Sequence, residues 1–223
     1  MLKIWGRPEA VGTQGVTWTC EELSLPFRRL DPDRSAGARP AGPLADEPVA
    51  VVDERGLIMW EAGAFMRYLL EQFGPRITPL EREQADHWVD WTSSALLPSV
   101  RLLAASRLRL RGDAADEMTL RRARECVEHG AHLNEALATS PFLCGDGLTL
   151  ADITAGTVVW HWVTAAPERP QLPYLYQWIE RLKLRPGFER QVAKPLAYYR
   201  MVAAAQFPRA PRNATGTLAP ANN

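Results

Sequence analysis

Residues 48–73 read Pro48-Val-Ala-Val-Val-Asp-Glu-Arg-Gly-Leu-Ile-Met-Trp-Glu-Ala-Gly-Ala-Phe-Met-Arg-Tyr-Leu-Leu-Glu-Gln-Phe73. Two short apolar runs flank Glu54-Arg-Gly56. Apolar runs joined by a short glycine-bearing turn predict an antiparallel hairpin. The period then changes. Phe65, Leu69 and Phe73 recur every four residues, which predicts a helix over Glu61–Phe73 with one apolar stripe. Gly74-Pro75 ends it.

Upstream, Leu2–Trp5 is a β-type run ended by Gly6. Val11–Leu23 carries Val16, Cys20 and Leu23 at helical spacing, and Phe27–Leu30 follows Pro26 as a second strand. Residues 31–47, rich in Pro, Gly, Ala and Asp, read as a loop. Downstream of Pro79 every element reads as helix. Leu80 to Leu110 is long and bends at Pro98, and Ala114–Leu137 follows. Thr149-Leu-Ala-Asp152 has the shape of a capping box ahead of an apolar helix. Leu172–Leu184 and Gly187–Ala205 complete the set, and 206–223 lacks apolar patterning and reads as a loose tail. The predicted fold class is an α/β N-terminal domain over residues 1–75 and an all-α helical bundle over 80–205.

Composition bounds the function. The chain has 223 residues, 46% of them hydrophobic, with 26 basic against 26 acidic side chains. A net charge of zero argues against general nucleic-acid binding, which needs a basic excess. Three scattered cysteines, Cys20, Cys126 and Cys144, have no metal-ligand spacing and fit a reducing cytoplasm. The first residues lack a signal-peptide apolar core, and no apolar run is long enough to span a membrane.

Several segments then resemble bacterial members of the glutathione transferase superfamily. These are Met1-Leu-Lys-Ile-Trp-Gly-Arg7, Val16-Thr-Trp-Thr-Cys-Glu-Glu-Leu23, Leu57-Ile-Met-Trp-Glu-Ala-Gly-Ala-Phe-Met-Arg-Tyr-Leu69, Phe142-Leu-Cys-Gly-Asp-Gly-Leu-Thr-Leu-Ala-Asp-Ile-Thr154 and Leu172-Pro-Tyr-Leu175. The resemblance covers residues 1–200 and implies a thioredoxin-like first domain, a helical second domain and glutathione as co-substrate. In this family a side chain at the start of the first helix stabilises the glutathione thiolate.

The chain departs from the family at the glutathione site. Ala10 stands where relatives carry Ser, and Gly12 where they carry Asn. Thr13 is the nearest hydroxyl and the candidate catalytic residue, its alternative role being a simple helix-start residue. Glu61-Ala62 stands where relatives have Glu-Ser, so the serine hydroxyl that holds the γ-glutamyl carboxylate is missing, while Glu61 could hold the glutathione ammonium or complement the helix dipole. Pro48 matches the family's cis-proline, and Glu47 before it would pair through its backbone with the cysteinyl part. Arg39 offers a cation in the preceding loop.

The second domain would supply the electrophile pocket. His87, Trp91 and Ser94 share one helix face, and Trp91 with Arg7 is taken as the substrate wall. Packing is the alternative for Trp88 and Trp91 and for His161-Trp162. Arg101, Arg107, Arg109 and Arg111 form a cationic helix end. Asp152 is expected to be a cap, and Trp18 and Cys20 interior. The resemblance implies a two-fold homodimer joining the 61–73 helix to the 80–110 helix of a second copy, with Phe65, Met66 and Leu70 as apolar contacts. The implied activity is thiol transfer to or from a small hydrophobic electrophile, with weak glutathione binding. A non-catalytic binding protein, or an enzyme acting on a non-thiol substrate, remains open.

Overall fold

The computed structural model of the chain describes residues 1–31, 49–52, 56–109, 117–165 and 170–197. Arg39, Glu47, Pro48, the 54–55 part of the hairpin turn, Arg111 and the 206–223 tail lie outside the described residues. The elements begin β1 (Leu2–Gly6), α1 (Val11–Glu22), β2 (Phe27–Leu30), β3 (Val49–Val52), β4 (Ile58–Met59) and α2 (Ala62–Phe73). The sheet order is β2-β1-β3-β4. β1 runs parallel to β2, with Leu2 opposite Phe27. It runs antiparallel to β3, with Gly6 opposite Val49, and β3 runs antiparallel to β4.

Two antiparallel steps make β4 parallel to β1. The helices that follow these strands, α1 and α2, therefore start at the same edge of the sheet. The helices also lie against each other. Gly15 in α1 lacks a Cβ, and one built there would lie 3.1 Å from the Met66 Sδ of α2. Leu2 and Ile4 of β1 join Val16, Trp18, Cys20, Phe65, Met66 and Leu69 in one buried core. Phe65 and Met66 are thus core residues of this chain and not surface contacts for a second copy. The buried stripe of α2 ends at Leu69, since Phe73 is 54% exposed at the helix end.

The remainder is helical: α3 (Pro79–Trp91), α4 (Leu97–Arg109), α5 (Glu117–Ala136), α6 (Leu150–Ala165), α7 (Pro173–Lys183) and a last stretch opening with α8 (Pro186–Phe188). A Thr78–Glu81 capping box starts α3. Between α3 and α4 the helix continues as a widened π-type segment, Thr92–Leu96, in which the Leu97 N–H reaches back to Thr92 O. The segment lies just before Pro98, which has no N–H to give and whose ring would clash with a carbonyl four residues back. The expected bend at Pro98 thus takes the form of one wide turn.

α6 is the buried axis of the bundle, packing against α1, α3 and α4. Asp152 at its start is fully buried. Its carboxylate accepts from Leu143 N at 2.9 Å, Thr149 N at 2.9 Å, Thr149 Oγ1 at 2.9 Å and Trp178 Nε1 at 2.9 Å. The expected cap is therefore also a tie between the 142–145 turn, α6 and α7. Burial pushes the Asp152 carboxyl up, and the four hydrogen bonds pull it back.

Candidate functional site

The site grows from the sheet edge where α1 and α2 begin. Gly6 closes β1 opposite Val49, the first residue of β3, so β3 begins at the same edge. Ala10 is the N-cap of α1 and offers no side-chain cap, and no acid stands in the first turn. An uncapped helix start with no acid in its first turn keeps its positive potential for an anion. Thr13 lies in this first turn but is only 1% exposed, so its hydroxyl does not open to solvent. Arg7, before the helix, is exposed.

The start of α2 is different. Glu61 is its N-cap, and the carboxylate accepts from Ala64 N at 3.1 Å. The acid placed by sequence in the first turn therefore bonds the backbone directly, as well as complementing the dipole. Ala62 is half-buried beside it.

α3 runs antiparallel to α2. Arg67 Nε meets Asp86 at 2.6 Å and its other arm pairs with Asp90, while Glu71 pairs with Arg82. A Cβ built on Gly63 would lie 3.9 Å from Val89. Residues 89–92 are thus level with the start of α2. The Trp91 side chain, however, turns toward α5. Its ring lies 5.5 Å from Trp88, 5.6 Å from His129 and 5.3 Å from His132. Its ring partners therefore come from α3 and α5. The exposed Ser94 hydroxyl donates to Asp90 O.

Two features of this region escaped the sequence. Gln14, fully buried next to Thr13, meets His161 Nε2 of α6 at 2.8 Å and donates to Val192 O at 3.4 Å. It ties the α1 start to the helical bundle. His129 packs against Trp91, with Nε2 3.4 Å from the Ser99 hydroxyl, and burial lowers its pKa. No one-helix periodicity finds either pair, because each joins two elements distant in sequence. Cys20 is fully buried, and burial, then the Glu21 charge, pushes its thiol up to about 12. It is therefore protonated at neutral pH and unsuited to redox chemistry. Among the described residues no cluster of His, Cys, Asp and Glu could hold a metal ion, and no helix is long and apolar enough to cross a membrane.

Residues 117–181 match the family model described as glutathione S-transferase, C-terminal domain. Glutathione S-transferase GstB of Escherichia coli is 28% identical over 208 residues, covering 88% of this chain and all of that protein. The crystal structure of the theta class glutathione S-transferase from Xanthomonas axonopodis pv. citri with glutathione bound superposes with a TM-score of 0.75. It is 28% identical and covers 87% of this chain and 98% of that one. Over most of its length the chain is similar to members of the glutathione transferase superfamily. Its fold is the thioredoxin-like first domain and helical second domain of that superfamily. The chain is also similar to the Escherichia coli disulfide-bond oxidoreductase YfcG, 26% identical over 209 residues and covering 87% of this chain and 95% of that one. The chain is a glutathione S-transferase-like protein.

Proposed function

We propose that this protein transfers the glutathione thiol to or from an electrophilic carbon of a small hydrophobic molecule, and that it binds glutathione weakly. The observation that carries this reading is the shared sheet edge. There an α1 start without a side-chain cap or an acid faces the same side as the start of α2 and the first residue of β3. In conjugation the thiolate forms the new carbon–sulfur bond, and the displaced electron pair leaves with the leaving group or collects a proton from water. Bound glutathione supplies the thiol. The α1 start would favour its ionised form through backbone N–H groups, since Ala10 and Gly12 bring no donor. Thr13 would assist only if its buried hydroxyl reaches the sulfur. Glu61 would hold the ammonium, the N–H of Ala62 the γ-glutamyl carboxylate, and Glu47 with Pro48 the cysteinyl backbone. Arg7 is the proposed electrophile contact of the first domain, and Trp91, packed toward α5, would back the pocket from the second.

In this reading residues 1–75 carry glutathione and residues 80–205 shape the pocket of a cytoplasmic homodimer. The test is calorimetric titration with reduced glutathione. The missing hydroxyl and side-chain contacts predict a dissociation constant roughly two orders of magnitude above the low micromolar range. A low micromolar value would show that backbone contacts suffice. No detectable binding, together with no conjugation of any electrophile tried, would give the protein to the non-catalytic reading.

A further inference from the structure

A second concavity lies away from the sheet edge. α3 presents Leu80, Glu83, Gln84, His87 and Trp88 along one stripe, at i, i+3, i+4, i+7 and i+8. Facing them are Leu143, Cys144 and Gly145, and the groove between the two walls holds about 540 Å³, within the range of small-molecule sites. This stripe lies on a different face of α3 from Arg82, Asp86 and Asp90, which pair with α2. The groove and the candidate glutathione site therefore lie on different sides of one helix.

Both walls are preformed. Phe142 and Gly145 exchange backbone hydrogen bonds of 3.1 and 3.3 Å, and Leu143 N is anchored 2.9 Å from the buried Asp152 carboxylate. Gly145 holds φ +110, which a side chain would strain. Across from the turn, the half-buried Trp88 indole is braced by His87, Trp91 and His132 at ring distances of 5.9, 5.5 and 5.3 Å. Neither wall has to be ordered by a ligand, which removes one cost of binding.

The chemistry of the lining is one-sided. It offers an indole, an imidazole, two leucines, a thiol and a carboxamide, with Glu83 as the only acid among the described residues. No Lys or Arg side chain lines it among the described residues. Arg181 is engaged elsewhere, donating to Pro141 O at 3.1 Å. Burial raises the Cys144 thiol pKa, so the sulfur brings no negative charge and lies in the groove as a soft apolar surface. An aromatic ring beside a carboxylate, with apolar flanks, is complementary to a cation carried on an apolar body.

We propose that this groove is a second small-molecule site, and that it takes an aromatic organic cation, seated against Trp88 with its positive charge toward Glu83. The ligand class is opposite in charge to glutathione. Occupancy of one site leaves the other open.

The test uses the full chain and benzyltrimethylammonium as probe, with binding followed by ligand-observed NMR. The wild-type protein should bind it, and saturating glutathione should not displace it. Benzenesulfonate, of similar size and opposite charge, should bind at least about tenfold more weakly. Glu83 is exposed, so Glu83→Lys folds as wild type does, and it should reverse the preference between the two probes. Trp88→Leu should weaken the cation about tenfold. Binding of both probes alike, an unchanged preference in Glu83→Lys, displacement by glutathione, or no binding of the cation would each overturn the proposal. None of these outcomes depends on whether the protein conjugates thiols.

Discussion

Two helix starts of the sheet domain, those of α1 and α2, are finished differently from two of the helical bundle, those of α3 and α6. In the bundle, α3 opens on Thr78 and Glu81, which satisfy each other's backbone reciprocally, and α6 opens on Thr149 and a buried Asp152 that accepts four hydrogen bonds. In the sheet domain, α1 opens on Ala10 with no side-chain cap, and α2 opens on the exposed Glu61 with one bond. All four starts face the same physical demand, that N–H groups without a helical partner need acceptors. The bundle meets it from within the chain. The sheet domain leaves more of it to be met from outside, on the edge where both of its helices begin. At these four starts, dense capping goes with elements that hold the fold, and sparse capping with the edge proposed to receive a ligand.

Substitutions can test that contrast. The largest effect belongs to Asp152→Ala. It strands Leu143 N, Thr149 N and the Trp178 indole, all buried or half-buried, and should cost about 3–5 kcal/mol in urea unfolding. A loss below about 1 kcal/mol would mean that water replaces the carboxylate and that the bundle start is no tighter than the others. Next, Ala62→Ser should tighten glutathione binding about tenfold by supplying a hydroxyl beside the ligand carboxylate. An unchanged calorimetric affinity would place that carboxylate elsewhere. Thr78→Ala should cost about 1 kcal/mol, and Glu61→Ala rather less, because its single bond is exposed. Equal losses would erase the distinction between the two exposed caps.

The smallest effect is a pH limb. Hydrogen bonds from the Thr78 backbone and then its hydroxyl hold the Glu81 carboxyl below its ordinary value of 4.5. A carboxyl lowered by folding contributes stability that is complete above the unfolded value and lost as pH falls below it. The urea midpoint should therefore decline below pH 4.5 with a component that Glu81→Gln removes. An identical decline in the variant would assign it to other acids.

Much of this architecture was legible because it is local. The hairpin-to-helix change at Trp60–Glu61, the stop at Gly74-Pro75 and the Thr149–Asp152 cap each depend on residues a few positions apart, and their periods and caps carry directly into structure. The edge of the candidate site was legible in outline, since the two helix starts predicted near Ala10 and Glu61 lie at one end of the sheet. What it lacked was orientation. Spacing put His87, Trp91 and Ser94 on one face, but the partners that turn Trp91 toward α5 are His129 and His132, some forty residues on. The Gln14–His161 tie spans an even longer stretch of sequence. Such pairs exist only once the helices have docked, and no period in the chain encodes them.

The wide turn at Thr92–Leu96 bears on which lengths of this helix are interchangeable. A π-type turn absorbs one residue more than an α turn while keeping the helix in phase on either side. Removing a residue elsewhere in α3 or α4 would rotate everything beyond it by about 100° and carry Val100 and Leu103 out of the core. Removing Ser94 would instead restore an ordinary turn with those side chains still inward, provided Pro98 is replaced by a residue with an N–H. Deletion of Ser94 combined with Pro98→Ala should then melt near the wild type, while deletion of Asp86 should leave no cooperative transition. The midst of a long helix packed along one face, usually an unforgiving place for a length change, here holds a spare residue.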